Sequence, residues 1–203
     1  MEVALPEAQE QVLKYDDLQL ETERLILRLP RPEDFDAYAE LQADSEASRY
    51  IGGVLTRPAA WRKFLQMPGA WVIQGYAMFS VIEKASGEWI GNVGPWQPEG
   101  WPGTEIGWAF RRCAWGRGFA FEAATVAADW AFAQLGWARM IHSIVPDNQA
   151  SQKLARRLGS HVSGPGRLPS PFEHVEIEIW EQSAAEWRAR RGSLATGSLA
   201  ITT

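Results

Sequence analysis

The spacing of hydrophobic residues along this chain changes several times, and each change marks an element. Arg24 to Leu29 reads as a strand, and Pro32-Glu33-Asp34 opens a helix carrying Phe35, Tyr38 and Leu41, with proline and acids placed where helix starts favour them. A second helix is expected over Arg57 to Leu65. Ala70 to Glu83 and Glu88 to Pro95 are β-rich runs joined by a turn at Lys84-Ala85-Ser86-Gly87. After the loop Gln97 to Gly103, Glu105-Ile106-Gly107-Trp108-Ala109-Phe110 alternates as a strand, with Ile106, Trp108 and Phe110 on one face and Glu105, Gly107 and Ala109 on the other. Phe119, Ala123, Val126, Trp130 and Ala133 then recur at helical spacing, and Gly136 stands where a cap belongs. Met140 to Val145 is a further strand. Pro146-Asp147-Asn148 turns the chain into a short helix through Leu154 and Leu158 that stops at Gly159, and Val175, Ile177 and Ile179 alternate with polar residues in a last strand. The order is strand, two helices, three strands, long helix, strand, short helix, strand, which is α+β or layered α/β.

Composition narrows the picture. With 203 residues the chain suits a single domain over residues 19–182, preceded by an arm or short helix over 1–18 and followed by a flexible extension over 183–203. No stretch approaches the ~18 to 20 apolar residues of a membrane span. The first residues lack a signal-peptide pattern and Cys113 is the sole cysteine, so a cytoplasmic protein without membrane association is expected, as monomer or homodimer. A net charge of −5 argues against a nucleic-acid partner. Two basic spots remain, Arg111, Arg112 and Arg117, and Lys153, Arg156 and Arg157; both suit a small polyanion. The eleven tryptophans fit cores and clefts alike.

Between the strand ending at Phe110 and the helix starting at Phe119 lies Arg111-Arg112-Cys113-Ala114-Trp115-Gly116-Arg117-Gly118. Glycines there permit a tight turn with inward amides, and the helix N-terminus adds the positive end of its dipole, so the segment can bind an anion such as a pyrophosphate, or serve only as a turn. Phe119 follows Gly118, so the Lys-Ser/Thr of a P-loop is missing, and the third glycine of a dinucleotide fingerprint is missing too.

Four ordered segments then carry a resemblance: Glu105 to Phe110, Trp115-Gly116-Arg117-Gly118-Phe119-Ala120-Phe121-Glu122-Ala123, Asn148-Gln149-Ala150-Ser151, and Leu158-Gly159. Together they resemble the GNAT N-acetyltransferases. The opening Thr22-Glu23-Arg24-Leu25-Ile26-Leu27-Arg28 and the Arg49-Tyr50-Ile51-Gly52-Gly53 segment are similar to the branch containing the ribosomal-protein alanine N-acetyltransferases, so the likeness covers residues 20–181. It implies a GNAT fold, a mostly antiparallel mixed sheet splayed into a V and flanked by helices, with acetyl-CoA in the opening and no metal. It further implies a pyrophosphate cradle of amides from Gly116, Arg117, Gly118, Phe119 and Ala120, with Trp115 in place of the family's usual Gln or Arg. Trp108, Ala109 and Phe110 would hold the pantetheine arm through their backbone, Asn148 and Ser151 would reach it from the other side, and Arg112, Arg117 and Lys153 would meet phosphates.

The implied reaction moves the acetyl group of acetyl-CoA directly to a primary amine, of a protein N-terminus or a small molecule, in a ternary complex. Such an amine must lose its proton before attack, and the departing thiolate gains from receiving one. Glu105 reads as the general base or as an exposed strand-end carboxylate, and His142 as an alternative base or a packing residue. Ala155 occupies the position of the family's usual tyrosine acid, leaving Ser151 as the replacement hydroxyl or as a first-turn residue of its helix. Glu122 is accounted for by the helix dipole. Cys113 reads as a structural thiol, because direct transfer needs no nucleophile. A non-catalytic acyl-CoA sensor or scaffold is the alternative.

Overall fold

A computed structural model describes residues 18–197, with side chains to 192. The arm expected over residues 1–18 lies outside them except for Leu18, as do residues 198–203 of the tail. The strands are β1 (Gln19–Glu21), β2 (Leu25–Arg28), β3 (Phe79–Glu83), β4 (Trp89–Trp96), β5 (Glu105–Phe110), β6 (Arg139–Ile144), β7 (His161–Gly166) and β8 (Ile177–Ser183). The helices are α1 (Phe35–Ala43), α2 (Arg57–Phe64), α3 (Gln66–Gln74), α4 (Phe119–Gln134), α5 (Gln149–Leu158) and α6 (Ala184–Gly197). The strands form one mixed, unclosed sheet in the order β1-β2-β3-β4-β5-β6-β8-β7. Its β5–β6 pair is parallel, with Glu105 opposite Ile141, while β1–β2, β2–β3, β3–β4, β6–β8 and β7–β8 are antiparallel. The expected α+β architecture with a mostly antiparallel sheet is the one observed.

The described chain falls into two compact units. One holds residues up to Trp96 with Gly107–Ala127, the other Gln97–Ile106 with the residues from Ala128 onward. In the first, β3 and β4 are buried almost throughout, as strands covered on both faces must be. In the second, β6 contributes Met140, Ile141, His142 and Ile144 to the interior.

Four local expectations change. Residues 70–74, rich in Trp, Val and Ile, belong to helix α3 rather than a strand. Met67 and Trp71 stand four apart and are both buried, and the Trp71 indole donates to the Met78 carbonyl at 3.2 Å, so helical burial outweighs β-propensity. The buried stripe of α4 runs through Phe119, Ala123, Ala124, Ala127, Ala128 and Ala131, while Val126 and Trp130 are only half-buried; alanines let a helix backbone approach closely where larger side chains would not. The edge strand β7 has no apolar alternation and holds Pro165, a residue that strands tolerate at edges. The extension from residue 183, expected as flexible, is helical over Ala184–Gly197. Ser183 and Glu186 form a reciprocal capping box, and Trp187 is buried with its indole donating to Asp129 at 2.8 Å.

Candidate active site

The segment after β5 begins with a single 3₁₀ turn, Arg112–Ala114, and reaches α4 through two glycines with left-handed backbone, Gly116 at φ 71° and Gly118 at φ 82°. Gly118 accepts the first helical bond, from the Glu122 amide at 3.2 Å, so the amides of the first turn lack carbonyls one turn back. A Cβ on Gly116 would meet nothing within 4 Å, and one on Gly118 only Arg24 Nη2 at 3.5 Å. The loop surface is thus open backbone at the positive end of a sixteen-residue helix, which fits a pyrophosphate. Trp115 does not contribute the side-chain contact of a Gln or Arg. Its indole N–H donates to the Phe110 carbonyl at 2.9 Å and ties the loop to the end of β5. Within β5, the Ala109 carbonyl lies so near Gly91 that a Cβ there would be 2.5 Å away. Trp108 and Ala109 are half-buried and Phe110 is buried.

The arginines meet carboxylates. Arg112 pairs with Asp44 at 2.6 Å and Glu46 at 3.2 Å, and Arg117 pairs with Glu83 while its guanidinium lies 4.4 Å from the centre of the Phe119 ring. Arg24, which no local pattern singles out, runs along the loop. It donates to the Arg117 carbonyl at 3.0 Å and to Glu122 at 2.7 Å, and it covers the same Phe119 ring at 4.6 Å. Glu122 therefore does more than complement the helix dipole, since Thr22 Oγ1 and the Arg24 amide also donate to it. These bonds outweigh its partial burial and hold its pKa below the ordinary value. Cys113 is exposed rather than packed.

In the second unit Glu105 is buried, not an exposed strand end, with 8% of its surface accessible. Burial pushes its carboxyl up to about 7, against the opposing influence of Ser143 and of the Trp101 indole, which donates to Oε2 at 2.7 Å. His142, on the adjoining strand, is 1% exposed. Its Nδ1–H donates to the Ile106 carbonyl at 2.7 Å and its Nε2 accepts from Ser160 Oγ at 3.0 Å, the neutral tautomer those partners require. Desolvation lowers its pKa to about 4. Both ring nitrogens of His142 are thus engaged and its imidazole is neutral across the physiological range. Asn148 caps α5, its Oδ1 accepting from the Ser151 amide at 3.1 Å, which leaves its two amide hydrogens for other partners. Ser151 is half-buried, Lys153 is exposed, and Ala155 is fully buried.

Residues 24–161 match the acetyltransferase (GNAT) domain family. The chain belongs to that family. Among GNAT relatives, the uncharacterized N-acetyltransferase p20 of Bacillus licheniformis is 34% identical over 148 residues, which is 71% of this chain and 83% of that protein. An acetyltransferase of Agrobacterium tumefaciens superposes with a TM-score of 0.73 at 30% identity, covering 81% of this chain and 94% of the other. The ribosomal-protein-S5-alanine acetyltransferase of Vibrio fischeri shares the fold, with a TM-score of 0.63 at 19% identity over 84% of this chain and 99% of that one. GNAT proteins transfer acetyl groups and generally use acetyl-CoA, so this chain is a GNAT N-acetyltransferase. Among the described residues of this GNAT chain no cluster of His, Cys, Asp and Glu could hold a metal ion, and no helix is long and apolar enough to cross a membrane.

Two contributors escape a linear reading. Arg24 precedes the glycine loop by more than ninety residues, and only the family-like Thr22 to Arg28 segment hints at it. Trp101 sits in an irregular loop whose composition says nothing of its hydrogen bond to Glu105.

Proposed function

We propose that this GNAT protein transfers the acetyl group of acetyl-CoA directly to a primary amine within a ternary complex, with Glu105 as general base. The observation that carries the reading is the burial of the Glu105 carboxyl, which pushes it up to about 7, because a base near the working pH is partly ionised and still basic enough to take a proton from an ammonium. Acetyl-CoA supplies the activated thioester. The amides of Gly116 to Ala120 hold its pyrophosphate, and the backbone of Trp108 to Phe110 binds the pantetheine arm. Arg112 and Arg117, paired with carboxylates, shape the loop more than they bind. Glu105 accepts the ammonium proton at a carboxylate oxygen, and the Ser151 hydroxyl is the donor offered to the departing thiolate. Acceptors are a protein N-terminus or a small-molecule amine.

Release of the CoA thiol, followed across a peptide beginning with alanine, a polyamine and an aminoglycoside, tests this. The expected result is turnover of at least one amine with an activity limb near neutral pH that Glu105→Gln removes. Tight acetyl-CoA binding with no turnover on any amine would overturn it in favour of an acyl-CoA sensor.

A further inference from the structure

The loop before β5 is tied down within its own unit. Trp101 N–H donates to the Pro98 carbonyl at 3.0 Å, Thr104 Oγ1 donates to the Arg139 carbonyl at 2.6 Å, and Ile141 N–H donates to the Thr104 carbonyl at 2.9 Å. Packing adds to this. A Cβ on Gly103 would lie 3.1 Å from Ile141 Cδ1, and one on Gly100 would lie 3.3 Å from Pro169 Cβ. Ile141 is the sheet partner of Glu105, so the same strand that flanks the carboxylate also anchors the loop.

Held this way, the loop delivers the Trp101 indole N–H to Glu105 Oε2. A half-buried tryptophan needs an acceptor for its N–H, but any carbonyl would serve. Here the acceptor is the buried ionisable group itself. A carboxyl in a desolvated site has two oxygens and a free terminal torsion, and a donor on one oxygen fixes which way the group faces.

We propose, on the footing that Glu105 is the base, that Trp101 is its positioning residue: the indole N–H orients the Glu105 carboxylate to receive the acceptor's proton, making the 97–104 loop part of the catalytic apparatus. The donor also favours the charged form of a group that burial disfavours, so its removal moves Glu105 further up. Among the described residues no charged side chain contributes to that titration. Ser143 on β6 is neutral, His142 faces the Ile106 carbonyl in neutral form, Arg139 at the start of β6 pairs with Glu181 at 3.2 Å, and Glu99 in the loop is exposed.

The test uses the full chain, acetyl-CoA and the amine turned over fastest in the panel above. Trp101→Phe keeps a ring and removes the donor. Its kcat limb is expected to rise by about one pH unit, with kcat below the limb down roughly tenfold and the KM for acetyl-CoA within about twofold of the parent. Trp101→Gln keeps an N–H without the ring. A limb near the parent value in this variant supports orientation by the donor, and a displaced limb overturns it, even if Trp101→Phe fails to fold. An unmoved limb and kcat in a folded Trp101→Phe also overturn it. Glu105→Gln separates the two claims: if that variant stays active, the base assignment has failed and this inference with it. If it is inactive while Trp101→Phe behaves as the parent, only the role of Trp101 is lost.

Discussion

The glycine loop and the surroundings of Glu105 are built in opposite ways. The loop is made of backbone: two glycines in left-handed conformation lead into the first turn of α4, while the nearby side chains are engaged with one another. The Glu105 surroundings centre on one side chain, whose chemistry depends on burial and on its neighbours Ser143 and Trp101. The difference teaches that a backbone site tolerates loss of the side chains around it but not a change in the chain's path. A side-chain site tolerates neither loss of the group nor a change in its surroundings.

The largest effect is expected at Glu105. Glu105→Gln should lower kcat by about 10²- to 10⁴-fold with little change in acetyl-CoA affinity, measured by thiol release and calorimetry. Intact activity would break the comparison at its catalytic side.

The same substitution should raise stability. The folded-state pKa of Glu105, about 7 against an ordinary 4.5, means the folded chain binds more protons than the unfolded one between those values, so this group lowers stability as pH rises from about 4.5 to 7. Its contribution above pH 7 is unfavourable by on the order of 3 kcal/mol. His142, lowered from 6.5 to about 4, acts in the other sense: it binds fewer protons when folded, so stability rises with pH from about 4 to 6.5. The two slopes nearly cancel in the parent. Urea denaturation of Glu105→Gln should therefore show stability climbing from pH 4 to 6.5, where the parent stays nearly flat. A flat curve in both would mean Glu105 is not desolvated.

The loop is tested by Gly118→Val. At φ 82° a β-branched residue is strained by about 1–2 kcal/mol, and its side chain covers the cradle, so acetyl-CoA affinity should fall more than tenfold while the circular dichroism spectrum is retained. The smallest effect is expected from Arg112→Ala. An exposed arginine already shared between Asp44 and Glu46 should change the KM for acetyl-CoA by less than about threefold. A large loss there would show that side chains, too, build the anion site.

Most of the fold was legible because its signals are local. The alternation in β5, the helical spacing of α4 and the stop at Gly159 each need only a dozen residues of context. Helix α6 had a local signal as well, the Ser183–Glu186 capping box. Strand β7 had none, because an edge strand of polar and glycine residues is defined by its partner β8 rather than by its own pattern. Among the site residues, the loop glycines stood out by their spacing before a helix. Arg24 did not, because its partner Glu122 is 98 residues away.

The sequence alone determined the family, most of the elements and the glycine turn before α4, because glycine spacing and hydrophobic period are written along the chain. How far each candidate base is shifted from its ordinary pKa was decided by the tertiary structure. Along the sequence Glu105 reads as the base and His142 as its alternative, and only their surroundings show how far each is shifted. Burial raises a carboxyl toward neutrality and lowers an imidazole away from it, and the partners that complete each environment, Trp101 for one and Ile106 with Ser160 for the other, are assembled by folding.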